Sequence, residues 1–500
     1  MISRASATRL VISIVSLFLL MPLLGIATSG VNESPEELES LAEVSFTHTS
    51  ISVNEPGFQA GSIFSHSTLS SGYDYTCVIL ENGSAMCWGA NTHGQLGDGS
   101  FIDRLTPTIV DFPQGLTATS ITTTPYDNSG TRHSCAIMVN GSVMCWGSNN
   151  FGQLGTTVLS QPQGTPLYLS DIPVFVDLPV DRKAIQISVG GGHTCAVLDN
   201  GSAMCWGVNG NGQLGDGSST SSSSPVWAIL PTERTSVAIS LGDDYTCTIL
   251  DNGSAMCWGW NGYGQLGDGT TTSTNTPVYV DIPEGRSVAA ISSSWVRTCA
   301  ILINGSALCW GQSLLGDGST SASNSPVQVD LPIGRTAVSI SAGQTASCSI
   351  LDNGSAMCWG WNGYGQLGDG SMAYSVSPIY VSIPVGRTAL GLSLGSQHAC
   401  AILDNHSLEC WGRNDDGQLG DGTIVDSYSP NLIMMPSNAS VALSERDFDG
   451  DGILNIFDTH NMRGWQEGSI YVGSAVAGAS QTCTIIEDGS MLCWGRNDVG

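Results

Sequence analysis

Eight times along this chain a cysteine, nine further residues and a second cysteine lead directly into Trp-Gly, at Trp88, Trp146, Trp206, Trp258, Trp310, Trp359, Trp411 and Trp494. The stretch ILDNGSAMCWGWNGYGQLGDG occupies 249–269 and returns without change at 350–370. A catalytic site is needed once and a building block many times, so repetition at this spacing points to architecture. Successive tryptophans lie 58, 60, 52, 52, 49, 52 and 83 residues apart. Each unit carries two strands around a short turn, Asn-Gly in six of the eight, with a Pro-Val strand such as TPVYVDIP at 276–283 and a short apolar strand such as SVAIS at 236–240. Four short strands per unit, joined by glycine and proline turns, predict an all-β fold: a β-propeller of about 50–60-residue repeats.

The sixteen cysteines fall into pairs of one spacing: Cys77 with Cys87, Cys135 with Cys145, Cys195 with Cys205, Cys247 with Cys257, Cys299 with Cys309, Cys348 with Cys358, Cys400 with Cys410 and Cys483 with Cys493. In CAVLDNGSAMC, a three-residue loop at Asp199, Asn200 and Gly201 sets Leu198 against Ser202 and Cys195 against Cys205. Opposed Cα atoms at a non-hydrogen-bonded position are about 4.5 Å apart, within reach of a disulfide. An even cysteine count and this register favour cross-strand disulfides in an oxidising compartment. Zinc fits less well, because nine residues separate the thiols and no second pair adjoins each one; metal and free thiols stay open as alternatives.

GGHTCAVLDNGSAMCWGVNGNGQLGDG at 191–217 closely resembles the regulator of chromosome condensation repeat, and the match recurs from about 65 to 435 and again from about 470. The resemblance implies seven blades, a number that spacing alone leaves open. The expected organisation is a signal peptide over 1–29, an acidic linker with first strands over 30–64, a seven-repeat propeller over 65–435, an insert over 436–468 and an incomplete eighth repeat over 469–500. That eighth unit either begins a second propeller or supplies strands that complete the first.

Acidic residues outnumber basic ones 43 to 15, for a formal net charge of −28. Such a surface repels phosphate backbones and argues against a nucleic-acid partner. Arg4 and Arg9 precede an apolar run from Leu10 to about Ala27, the layout of a secretory leader, with an uncleaved anchor as the alternative. No later stretch is apolar enough to span a membrane. Secretion or display at the cell surface is expected.

Features common to every unit read as scaffold; function is expected where the copies differ. Two residues before the first cysteine of each pair stand Tyr75, His133, His193, Tyr245, Arg297, Ala346, His398 and Gln481. Histidine is common there in the family that the repeat resembles, which argues against a metal ring. The fifth unit reads CWGQSLLGDG, three residues shorter than its neighbours, which carry Trp260 with Tyr263 and Trp361 with Tyr364. With Trp295 these aromatics would rim a notch suited to a sugar or a protein loop. In DFDGDGILNIFD at 447–458, Asp447, Asp449, Asp451, the Ile453 carbonyl, Asn455 and Asp458 fall at loop positions 1, 3, 5, 7, 9 and 12. The pattern is similar to EF-hand-like loops of extracellular proteins such as dockerins, so a structural Ca²⁺ is the one expected cofactor. Asn82, Asn140, Asn200, Asn252, Asn304 and Asn353 head Asn-Gly-Ser, a turn signal and a glycosylation acceptor at once.

No nucleophile elbow, phosphate-cradling loop or His-Glu-x-x-His is present, so no enzymatic activity is expected. The leading expectation is a binding or adhesion scaffold for a protein or glycan ligand. The resemblance also raises a guanine-nucleotide exchange factor acting on a small GTPase, and an inhibitor of a secreted hydrolase.

Overall fold

The computed structural model describes residues 68–126, 130–156 and 168–436, with Ala439, Val441 and the backbone of three strands between 476 and 495. Seven four-stranded antiparallel sheets form a ring, each built from one contiguous stretch: 69–109, 118–175, 184–227, 236–279, 288–328, 337–380 and 389–432. The fold is the expected all-β, seven-bladed propeller. In blade one the strands are β1 (Leu69–Ser71), β2 (Tyr75–Ile79), β3 (Ala85–Gly89) and β4 (Arg104–Ile109), hydrogen-bonded in sequence order. The eighth unit makes a separate three-stranded sheet from Val476–Ala477, Gln481–Ile485 and Met491–Gly495. The leader, the acidic linker and the 447–458 loop lie outside the described residues.

Within a blade the burial pattern follows strand order. The second and third strands are buried on both faces throughout. The fourth is half exposed and carries proline in every blade, for example Pro107, Pro225 and Pro277. Proline cannot donate to another strand, so each outer edge is blunted against pairing with a further chain. First strands meet around the axis. There Ser70, Ser188, Ser240, Ser292, Ser341 and Ser393 each accept a backbone N–H from the next blade, such as Leu241 N–H to Ser188 Oγ at 3.2 Å and Ser293 N–H to Ser240 Oγ at 2.8 Å.

The hairpin turn behaves as the cysteine register requires. Gly201 takes φ 75° and donates its N–H to the Leu198 carbonyl, Leu198 N–H donates to Ser202, and Cys195 pairs with Cys205. Seven disulfides close the seven hairpins, with Cα atoms 4.0–4.1 Å apart and every sulfur-bearing residue buried. In the eighth sheet the backbone register also sets Cys483 against Cys493, whose side chains lie outside the described residues. Blade seven alone among the seven replaces the turn glycine, with His406 at φ 63°. A side chain in the left-handed region costs about 1–2 kcal/mol, so His406→Gly is expected to raise stability by about 1 kcal/mol, read as a higher denaturant midpoint at unchanged slope.

The core is divided among the junctions, one apolar cluster per pair of adjacent blades. Each cluster contains the tryptophan of the Cys-Trp-Gly motif, fully buried. Its indole edge lies over a glycine of the preceding blade: a Cβ at Gly215 would come within 2.5 Å of Trp258 Nε1. Truncating a tryptophan so enclosed typically costs about 3–5 kcal/mol. Blades seven and one meet through the same kind of cluster, extended by Ile433 and Val441, with Val441 bridging Leu80.

Candidate ligand-binding face

Antiparallel order places two kinds of connection at one end of the ring: the turns between first and second strands, and the long loops between third and fourth. The Asn-Gly-Ser hairpins are left at the other end. Five of the long loops are bonded internally by their own side chains. Buried Asn261 donates Nδ2–H to Asp268 Oδ1 (3.3 Å) and to the Thr270 and Thr272 carbonyls (3.2 Å each), and its Oδ1 accepts from Leu266 N–H (2.9 Å). Gln265 Oε1 accepts from Tyr263 N–H at 3.0 Å. Asn-x-x-Gly-Gln-Leu-Gly-Asp-Gly is therefore a self-bonded loop, repeated with Asn91, Asn209, Asn362 and Asn414.

Aromatic side chains collect on this loop-bearing end. Trp260 meets Tyr263 edge-on, ring centres 5.6 Å apart, and Trp361 meets Tyr364 likewise at 5.5 Å. Tyr263 and Trp361 are exposed. Arg413 of blade seven lies 5.7 Å over the Tyr364 ring. Trp295, from the blade-five turn, stacks on Tyr126 of the blade-two turn at 5.5 Å, and Tyr126 in turn meets Tyr73 of blade one edge-on at 6.2 Å. Blades one, two and five thus contribute one aromatic group reaching across the end of the ring. Among the described residues no ring contact joins Trp295 to either Trp-Tyr pair, so the expected aromatics occupy three places on this end.

Charge accompanies these rings. Arg132 sits 5.3 Å over Tyr73 and pairs with Asp74 at 2.9 Å. Asp244 accepts from Asn211 Nδ2 (3.0 Å) and Gln213 Nε2 (2.9 Å) of the preceding blade; burial holds its carboxyl above the usual range, the Asn211 bond pulling the other way. Sequence reasoning passed over Tyr73, Tyr126, Arg132 and Asp244. Their one visible signal is position, since they lie in the first turns where the repeats diverge.

In the seven ring hairpins the residues two before each first cysteine are buried. His133 Nε2 lies 2.8 Å from Thr194 Oγ1, His193 Nε2 2.9 Å from Thr246 Oγ1, and His398 Nε2 2.8 Å from Thr76 Oγ1, each crossing into the next blade. Tyr75 and Tyr245 donate across the same gap to the His133 and Arg297 carbonyls at 2.7 and 2.6 Å. Desolvation pushes the three imidazoles down, His133 to about 4 and the other two to about 3. They are neutral structural latches, sealed from any substrate. Among the described residues no group of three or more His, Cys, Asp or Glu side chains could hold a metal, and no helix is long and apolar enough to cross a membrane. This end presents planar aromatic faces beside carboxylates and the Arg132 and Arg413 guanidinium groups, an arrangement suited to stacking and cation–π contact.

Comparison with known proteins agrees with the geometry. The RCC1-like domain model matches residues 169–500, and regulator of chromosome condensation (RCC1) repeat models match 67–95, 82–137 and 140–197. The chain is 29% identical over 374 residues to the ultraviolet-B receptor UVR8 of Arabidopsis thaliana, covering 73% of this chain and 81% of that one. It is 27% identical over 360 residues to the human E3 ubiquitin-protein ligase HERC2, covering 71% of this chain but 6% of HERC2. In fold it is similar to Prp20p from Saccharomyces cerevisiae (TM-score 0.62, 20% identity, 76% of this chain and 90% of that one). Human WBSCR16 is similar in the same way (TM-score 0.61, 21% identity, 71% and 95%). With a domain model matching well over half its length and seven blades of one repeat, the chain belongs to the RCC1-like domain family.

Proposed function

We propose that this chain is a binding scaffold of the cell surface or exterior, whose aromatic loop-bearing end receives a protein or glycan ligand. The observation that carries the reading is the combination of seven buried disulfides with two aromatic pairs, each with one exposed ring, on self-bonded loops. Disulfides persist in oxidising compartments, and rigid aromatics bind at little cost in conformational entropy. The relatives lend support on the partner's class: UVR8 is a receptor, and Prp20p was described with binding properties to Gsp1p and histones. We also assign Asp447, Asp449, Asp451, Ile453, Asn455 and Asp458 to a structural Ca²⁺ loop on their sequence pattern.

The test is retention of ligand by the purified, oxidised full chain on glycan and secreted-protein arrays, with calcium and with chelator. Trp260→Ala with Trp361→Ala is expected to weaken binding by about tenfold or more, as truncated interface anchors do. Substitutions at Asn252 and Asn353, on the opposite end, are expected to leave binding unchanged. Retention unaffected by the tryptophan pair would reject the assigned face. Capture of a small GTPase or of a secreted hydrolase would replace the scaffold with a regulator or an inhibitor.

A further inference from the structure

At five junctions two buried donors meet on one oxygen. The indole N–H of the motif tryptophan and the hydroxyl one residue after the latch position both donate to the carbonyl of the Gln in Gly-Gln-Leu-Gly of the preceding blade. Trp310 Nε1 and Thr298 Oγ1 each reach the Gln265 carbonyl at 2.9 Å, and Trp258 with Thr246 do the same at Gln213. Between blades five and six the shortened loop CWGQSLLGDG sets Leu314, at φ 64°, where the other loops carry this Gln, and the indole there donates to no carbonyl. The donors remain. Trp359 and Ser347 hold the same cross-strand register as Trp310 and Thr298 and are equally buried, and Trp359 Nε1 has no acceptor among the described residues. Ser347 Oγ finds only the weak acceptor Cys299 Sγ, 3.8 Å away.

A third donor closes on this point. Arg297 replaces the histidine of other blades, is 3% exposed, and directs Nη1 toward Ser347 Oγ at 3.5 Å while Nη2 donates to the Ser313 carbonyl at 2.6 Å. Its Nε has no partner, and among the described residues it makes no ion pair. In a chain with 43 acidic residues, a buried guanidinium without a carboxylate is conspicuous. Burial lowers its pKa to about 10, still well above neutrality. A buried charge is costly unless paired. A water molecule could satisfy the indole but would leave that charge uncompensated.

We propose that Trp359 Nε1, Ser347 Oγ and the Arg297 guanidinium form an enclosed binding site for a small monovalent anion of halide size, bound between blades five and six. The anion accepts from all three groups, stands in for the Gln carbonyl of the other junctions and neutralises the arginine.

Bromide is the direct probe. Crystals of the wild-type chain grown or soaked in sodium bromide are expected to show an anomalous peak within hydrogen-bond distance of Trp359 Nε1. In solution, the melting temperature is expected to rise with chloride relative to gluconate at constant ionic strength. Two variants are expected to lose this dependence. One is Arg297→Gln; the other replaces 312–314 with the blade-four loop 260–265 alongside Arg297→His, restoring the carbonyl and the usual latch. In the second variant the indole regains an acceptor and the buried charge is gone, so its folding separates loss of the anion from loss of the fold. No anomalous peak at the site, or equal melting of the wild type in chloride and gluconate, overturns the proposal. So does chloride dependence that survives in the grafted variant.

Discussion

A chain refolded under strong reductant is expected to show no cooperative unfolding transition near physiological temperature, whereas the oxidised protein melts sharply. Each bridge closes a hairpin of ten-residue separation, and restricting such a loop in the unfolded chain is worth about 2–3 kcal/mol. Seven together approach roughly 15–20 kcal/mol if additive, comparable with or above the whole net stability of a typical domain. All seven lie between the two fully buried strands of their blades, so reductant added to the folded protein acts only through unfolding. The measurement is therefore made on refolded material, or on Cys195→Ala with Cys205→Ala, for which a loss of about 2–3 kcal/mol is expected in denaturant titration. Alkylation of the native protein in denaturant, without reductant, should leave the described cysteines unlabelled. Labelled thiols, or a reduced chain that melts with the oxidised one, would remove the argument for an oxidising compartment.

The second large effect is acid sensitivity above the carboxylate range. His133, His193 and His398 fold as neutral groups, pushed down from 6.5 to about 4, 3 and 3, chiefly by desolvation. Below pH 6.5 the unfolded chain binds protons at these positions and the folded ring does not, so stability is complete above that pH and falls as the solution is acidified toward the folded values. Between pH 7.5 and 5 each histidine is expected to cost about 2 kcal/mol, or about 6 for the three. Asp244 and Glu409 carry carboxyls raised by burial and act with opposite sign at lower pH. His193→Gln keeps a donor for Thr246 and should remove about a third of the slope in a melting series from pH 7.5 to 5. A flat series, or an unchanged slope in the variant, would show that the latches do not titrate as assigned.

Much of this was legible in the residues because the repeat states each junction seven times. Asn-Gly at a fixed distance from paired cysteines set the hairpin register, and recurrence of Trp-Gly marked the residue that fills the gap between blades. Single-copy features were harder to read. The aromatics Trp260, Tyr263, Trp361 and Tyr364 were visible as departures from the repeat, but the partner of Trp295 was not. Tyr126 is 169 residues away and meets it only because the ring brings blades two and five to a common end. The meaning of Arg297 was hidden similarly: its consequence depends on what a neighbouring blade's loop has lost.

Each blade is built from one unbroken stretch of chain, and the last meets the first without trading a strand between their sheets. A circular permutant opened at any link between blades, with the old ends joined, would keep all twenty-eight ring strands in their sheets. With an indole lying over a glycine at every junction, the same modules could be shuffled in order without redesigning a closing strand.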